Sequence, residues 1–162
     1  RQRGIPGLPP RKKGEYLTDR EADEAVAFIR ENRDRPFFLH MAHYAVHTPI
    51  QAKPAVTARY EAKKKTNQKS ARYAAMVESV DDAVGAIGRE LERLGLERDT
   101  VIFFTSDNGG LLGPTHNAPL RSGKGFPYEG GIRVPLIVRW PGVVAAGSES
   151  ELPVSSLSLI HI

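Results

Sequence analysis

Tyr73, Val77, Val80, Val84, Ile87, Leu91 and Leu94 recur at alternating intervals of four and three, the spacing that lays one apolar stripe along a helix. Gly95 follows where such a helix would close in a left-handed turn. Another helix is predicted from Thr18, because Thr18-Asp19-Arg20-Glu21 has the T-x-x-E form of a capping box, in which hydroxyl and carboxylate each satisfy a free backbone N–H. Ala22, Ala25, Val26 and Ile29 supply its apolar face. After a polar stretch from Glu31 to Arg35 and the break at Pro36, the run Phe37-Phe38-Leu39-His40-Met41-Ala42 has the aromatic and aliphatic character of a buried strand. Thr100 to Thr105 reads as a second strand and Val134 to Trp140 as a third, with Pro135 near its start. The segment between Tyr44 and Thr100 is long enough to hold a crossover helix, as parallel strands require. The pattern therefore predicts an α/β chain, part of a mostly parallel sheet flanked by helices.

Composition narrows the class without changing that picture. The chain has 162 residues, 40% hydrophobic and 26% charged, which fits a globular domain and excludes disordered and collagen-like classes. No apolar run is long enough to cross a bilayer as a helix. Without cysteine, thiolate metal sites, disulfides and cysteine nucleophiles are excluded within these residues. The net charge of +4 is concentrated in Arg11, Lys12 and Lys13 and in Lys63, Lys64 and Lys65. Neither cluster is interleaved with aromatics, so both read as solvated surface instead of nucleic-acid contacts. The stretch to Gly14, rich in Pro, Gly and basic residues, reads as a loop or linker.

Ligands in open α/β sheets gather beyond the carboxyl ends of the strands. The first predicted strand ends in His43, Tyr44 and His47-Thr48-Pro49; the second ends in Ser106-Asp107-Asn108-Gly109-Gly110, followed by Arg121-Ser122-Gly123-Lys124-Gly125. Asp107 and Asn108 present adjacent oxygens on a bendable turn, the donors that Ca²⁺ or Mg²⁺ prefers, although Asp-Asn-Gly-Gly is also an ordinary turn sequence. Lys124 lies between glycines that permit close approach to an anion. A phosphate-binding P-loop is excluded, because Gly125 stands where Ser or Thr must follow the lysine. An exposed loop lysine is the plainer alternative. His47 is a candidate proton donor or anion contact, and His43 and His116 are candidates to touch substrate. His40, inside the predicted strand, reads as an interior or interface residue.

With these residues in place, the chain resembles the type I sulfatases of the alkaline phosphatase superfamily along nearly its whole length to about Ser156. The resemblance is carried, in order, by Tyr16-Leu17-Thr18-Asp19-Arg20, Arg35-Pro36-Phe37-Phe38-Leu39 and Tyr44-Ala45-Val46-His47-Thr48-Pro49. It continues in Thr105-Ser106-Asp107-Asn108-Gly109-Gly110, Leu120-Arg121-Ser122-Gly123-Lys124-Gly125 and Tyr128-Glu129-Gly130-Gly131-Ile132-Arg133-Val134-Pro135. It implies an alkaline phosphatase-like fold, incomplete here at both ends, and a sulfuric ester hydrolase acting on an alcohol, phenol or sulfated sugar. Asp107 and Asn108 would ligate a divalent cation, usually calcium with magnesium as the alternative. Lys124 and His47 would grip the sulfate, and either could protonate the leaving group. Glu129 and Arg133 would pin the Lys124 loop.

The nucleophile of that family is a formylglycine made in a C/S-x-P-x-R motif, and these 162 residues contain neither this motif nor the family's N-terminal acidic pair. The expectation is that residues 1–156 are the central part of a sulfatase catalytic domain, inactive alone, whose parent is periplasmic or secreted. Leu157-Ser158-Leu159-Ile160-His161-Ile162 is what CTG TCT CTT ATA CAC ATC encodes, the mosaic end of a transposon-based sequencing adapter, so 157–162 are expected to be a translated artefact. Two other functions compete: a phosphodiesterase or phosphonate monoester hydrolase of the same superfamily, and a non-catalytic module holding sulfated or other anionic polymers.

Overall fold

The computed structural model describes residues 12–64 and 69–155. The opening loop as far as Arg11, Lys65 of the lysine run and the terminal hexapeptide lie outside the described residues. Helix α1 (Leu17–Glu31) starts ahead of the predicted cap: Tyr16 occupies the cap position with no side-chain bond, and Thr18 is buried in the first turn. Glu21 is consequently not used as a capping carboxylate. It reaches instead across to the residues after Pro36, where its oxygens meet the His43 ring and the Tyr44 N–H.

Helix α2 (Pro54–Ala62) was not separately visible in the apolar pattern; it opens on Pro54, whose missing N–H would have had no helical partner there. Helix α3 (Ala71–Arg93) is the long element that the four-three spacing predicts. Its N-terminus is capped by Ser70, whose hydroxyl accepts from the Tyr73 N–H at 3.3 Å. Its C-terminus closes in a Schellman turn: Leu96 N–H donates to Leu91 O at 2.8 Å, Gly95 N–H to Glu92 O at 3.0 Å, and Gly95 takes φ 70°.

The core lies where α1 crosses α3, with α2 also packed on α3. Ala22, Ala25 and Ile29 of α1 are buried as their spacing predicts. On α3 the buried residues are Ala74, Ala75, Met76, Ser79, Ala83, Glu90 and Leu91, mostly small side chains that let the helices approach closely. Of the predicted stripe only Leu91 is buried, while Val77 is exposed and Val84 lines a cleft of about 280 Å³ shared with Gly85, Gly88, Ile102, Phe104 and Ile137.

The predicted mostly parallel sheet is not formed among the described residues. Among the described residues the sheet has two strands, β1 (Ile102–Thr105) and β2 (Leu136–Arg139), paired antiparallel with Ile102 opposite Arg139 and Thr105 opposite Leu136. The Phe37–Ala42 run is not a strand. Its side chains do alternate as a strand's would, with Phe37, Leu39, Met41 and His43 partly covered and Phe38, His40, Ala42 and Tyr44 exposed. A strand needs a neighbour to supply ladder hydrogen bonds, and neither β1 nor β2 does so here. His40, read as an interior or interface residue, is exposed in this chain. The short helix α4 (Glu129–Ile132) precedes β2. The chain is α/β, with a helical layer and a hairpin whose connection carries the candidate chemistry.

Candidate functional site

The register of the hairpin places the site. Thr105 opposes Leu136, so residues 106–135 leave the end of β1 and return beside it. The Thr105 hydroxyl donates to Pro135 O at 3.0 Å and closes the mouth of this loop. The Ser106 hydroxyl donates to Asn108 O at 2.8 Å, bending the chain directly after the strand. Asp107 is exposed and Asn108 half-buried, and neither side chain makes a hydrogen bond among the described residues.

Three segments of the loop are locked together backbone against backbone. Gly109 N–H donates to Gly131 O at 2.9 Å, Gly130 N–H to Arg121 O at 2.8 Å, and Lys124 N–H to Gly110 O at 3.1 Å. The contacts leave no room for side chains. A Cβ on Gly109 would lie 1.8 Å from Gly130 O, and one on Gly130 would lie 2.2 Å from Ser122 O. These glycines are therefore required by close approach of neighbouring backbones.

This lock joins the Asp107-Asn108 turn to the Lys124 loop. Lys124 is half-buried, and its ammonium makes no ion pair among the described residues. Glu129 and Arg133 pair with each other at 3.1 Å on an exposed face, and the Lys124 loop is held instead by Gly110, the glycine doublet and Asn117. The Arg121 guanidinium stacks over the Tyr128 ring, 3.8 Å from its centroid, which ties the two ends of this segment.

The histidines divide between two places. His116 lies in the locked loop, where its Nδ1 accepts the Ala118 N–H at 3.2 Å, so its neutral ring carries the proton on Nε2. His47 lies in the separate loop after the Phe37–Ala42 run. A carbonyl cannot donate, so the 2.8 Å contact from His47 Nδ1 to Thr48 O puts a proton on Nδ1 and leaves Nε2 for other partners. That loop is also braced by the Tyr44 hydroxyl, which donates to Thr48 O at 2.9 Å, and by His47 N–H on Tyr44 O at 2.9 Å. Among the described residues no hydrogen bond joins the His47 loop to the glycine-locked loops.

His43 is occupied elsewhere. Its Nδ1 lies 2.9 Å from Glu21 Oε2, the pair is largely buried, and Glu21 Oε1 also accepts the Tyr44 N–H at 3.3 Å. This Glu21 clamp ties the root of the His47 loop to α1. It escaped the sequence reading because Glu21 fitted a capping box three residues after Thr18. Asn117 also escaped it, since an Asn between His and Ala in a loop has no local signature.

The donors of the Asp107 turn fit part of a metal shell. Ca²⁺ takes six to eight oxygens, and Asp107 and Asn108 offer free oxygen donors on adjacent residues of a rigidly backed turn. Among the described residues no group of three or more His, Cys, Asp or Glu side chains is gathered for a metal. Asp107 and Asn108 would therefore be partners in a larger ligand set.

A family model for sulfatases matches residues 2–161. A sulfatase of Formosa agariphila is 42% identical over 145 residues, covering 82% of this chain and 26% of the relative. The steryl-sulfatase of Rattus norvegicus is 40% identical over 152 residues, 88% of this chain and 25% of the relative. The N-acetylgalactosamine-6-sulfatase of Homo sapiens is 40% identical over 148 residues, 86% of this chain and 27% of the relative. The chain thus spans about a quarter of the length of the curated relatives it matches. The crystal structure of Ps i-CgsB in complex with k-i-k-neocarrahexaose superposes with a TM-score of 0.83 at 42% identity, covering 91% of this chain and 33% of that one.

Proposed function

This chain belongs to the sulfatase family, and from that premise we propose that the protein containing it hydrolyses a sulfate ester, with Asp107, Asn108, Lys124, His47 and His116 facing the sulfate. The observation that carries the reading is the glycine lock, which backs an adjacent pair of oxygen donors and an ammonium, none of them paired among the described residues, with one backbone unit at the end of β1. Such an arrangement suits a tetrahedral oxyanion held between a cation and a lysine.

Asp107 and Asn108 would hold a divalent cation, calcium by preference for hard oxygen donors, together with ligands from outside these residues. When bound, that cation supplies positive charge opposite the sulfate oxygens. The Lys124 ammonium would hold a second edge of the sulfate. His47 has Nδ1 committed to Thr48 O, so Nε2 is the atom that would meet the ester, and in the imidazolium form it would deliver a proton to the departing alcohol oxygen. His116 would donate through Nε2 to a sulfate oxygen, since its Nδ1 already accepts from Ala118. The nucleophile, a formylglycine by family, lies outside residues 1–162.

Among sulfate esters we favour a sulfated carbohydrate. The 42%-identical structural neighbour is a complex with k-i-k-neocarrahexaose, and a 40%-identical relative is an N-acetylgalactosamine-6-sulfatase. The test is to express the whole open reading frame that contains these residues and measure sulfate release from sulfated oligosaccharides, an aryl sulfate and phosphate diesters. Sulfate release that requires Asp107 and a C/S-x-P-x-R motif upstream is expected. Turnover of phosphate diesters alone, or full activity in Asp107→Ala, would overturn the reading.

A further inference from the structure

We propose that Asn117 is a positioning residue that sets the separation between the Asp107-Asn108 oxygens and the Lys124 ammonium. Its chemical consequence rests on the functional reading above; its structural part does not. The carboxamide makes three contacts: Oδ1 accepts the Gly110 N–H at 2.8 Å, and Nδ2 donates to Gly110 O at 2.9 Å and to Ser122 O at 3.1 Å. Two of these engage both polar atoms of one residue, Gly110, as a neighbouring strand would. The third reaches across to the loop that carries Lys124.

Gly110 O also accepts the Lys124 N–H at 3.1 Å, so this one carbonyl is where the oxygen-donor turn and the lysine loop meet. Asn117 orients it. The fit around the amide is close: a Cβ on Gly123 would lie 2.6 Å from Asn117 Nδ2, and one on Gly110 would lie 3.0 Å from Asn117 Oδ1. Ser122, whose carbonyl takes the third bond, holds a left-handed φ of 66°, unusual for a residue with a side chain. A hydrogen bond from Nδ2 to Ser122 O helps fix that conformation two residues before Lys124.

The geometry requires an amide. A carboxylate would keep the acceptor for Gly110 N–H but turn an oxygen toward two carbonyl oxygens, and glutamine would carry the amide one methylene too far. None of the Asn117 contacts is to the side chain of Asp107, Asn108 or Lys124. The residue would act entirely through the backbones of Gly110 and Ser122.

Asn117→Ala and Asn117→Asp in the product of the whole reading frame test this, with amide exchange read alongside turnover. In Asn117→Ala the amides of Gly110 and Lys124 are expected to lose protection, and kcat is expected to fall roughly 10- to 100-fold, as for other supporting residues of metal and catalytic sites. In Asn117→Asp, Gly110 is expected to stay protected while Lys124 does not. The ratio of its kcat to wild type is expected to rise as pH is lowered, because a protonated carboxyl regains a donor. A residue of merely structural importance would lower the melting temperature and leave that ratio flat with pH. Unchanged protection at Gly110 and Lys124, or a pH-independent ratio, would overturn the proposal. A wild-type protein that released no sulfate would sink the functional reading, while the exchange data would still decide the placement of Asn117.

Discussion

Lys124 shows what a single residue contributes and how it was legible. Its flanking glycines, a sequence feature, already marked a loop where backbone could approach an anion. That its ammonium is unpaired among the described residues, and that its own N–H is tied to Gly110 O at 3.1 Å, are facts of the folded chain. If Lys124 holds the sulfate through developing charge, Lys124→Ala in the whole enzyme should lower kcat/KM by about 10²–10³-fold. Lys124→Arg should recover part of this, since charge is kept but the compact ammonium is replaced by a planar fork. Equal steady-state constants for wild type and Lys124→Ala would remove the residue from the site. Glu21 and Asn117 were illegible at this scale, because the partners of Glu21 lie in another segment, those of Asn117 are backbone groups met only when its loop folds back, and the types themselves are common.

At the scale of elements, α3 is instructive because its predicted and observed inner faces differ. Of the apolar stripe only Leu91 is buried, and the other buried positions of α3 are mostly alanine and serine, with Met76 and a charged residue, Glu90. Glu90 is tolerated there because Arg30 of α1 and Arg93 of α3 both meet its carboxylate, at 2.7 Å each. Hydrogen bonds from Arg93 and then Arg30 hold its pKa down to about 2. A carboxyl depressed on folding contributes stability that is complete above its unfolded pKa and is lost as pH falls through the folded one. The α1–α3 packing should therefore weaken between about pH 4.5 and about 2. Amide exchange in both helices, compared between wild type and Glu90→Gln, would reveal it: the acid-induced loss should be smaller in the variant. Equal acid sensitivity would show that other carboxylates dominate.

For the whole molecule, the described surface leaves many large apolar side chains uncovered. Phe38 is 86% exposed, Ile132 65% and Ile137 57%, while the large side chains buried almost completely reduce to Ile29 and Leu91 among the described residues. A core this small, next to a two-stranded sheet with open edges, supports little cooperativity. The 162-residue chain by itself should bind a hydrophobic dye and melt gradually; a sharp two-state transition of a monomer would contradict this. The sequence by itself determined the helices α1 and α3 and the strands β1 and β2, because these depend on local spacing and on motifs read within a few positions. The direction of strand pairing, the lack of a partner for Phe37–Ala42, the choice of the small-residue face of α3 and the roles of Glu21 and Asn117 were decided only by tertiary structure. All but the last depend on which distant segment lies alongside, and the Asn117 contacts depend on how the loop between β1 and β2 folds back on itself. Local periodicity says which side chains share a face, and only packing says what that face meets.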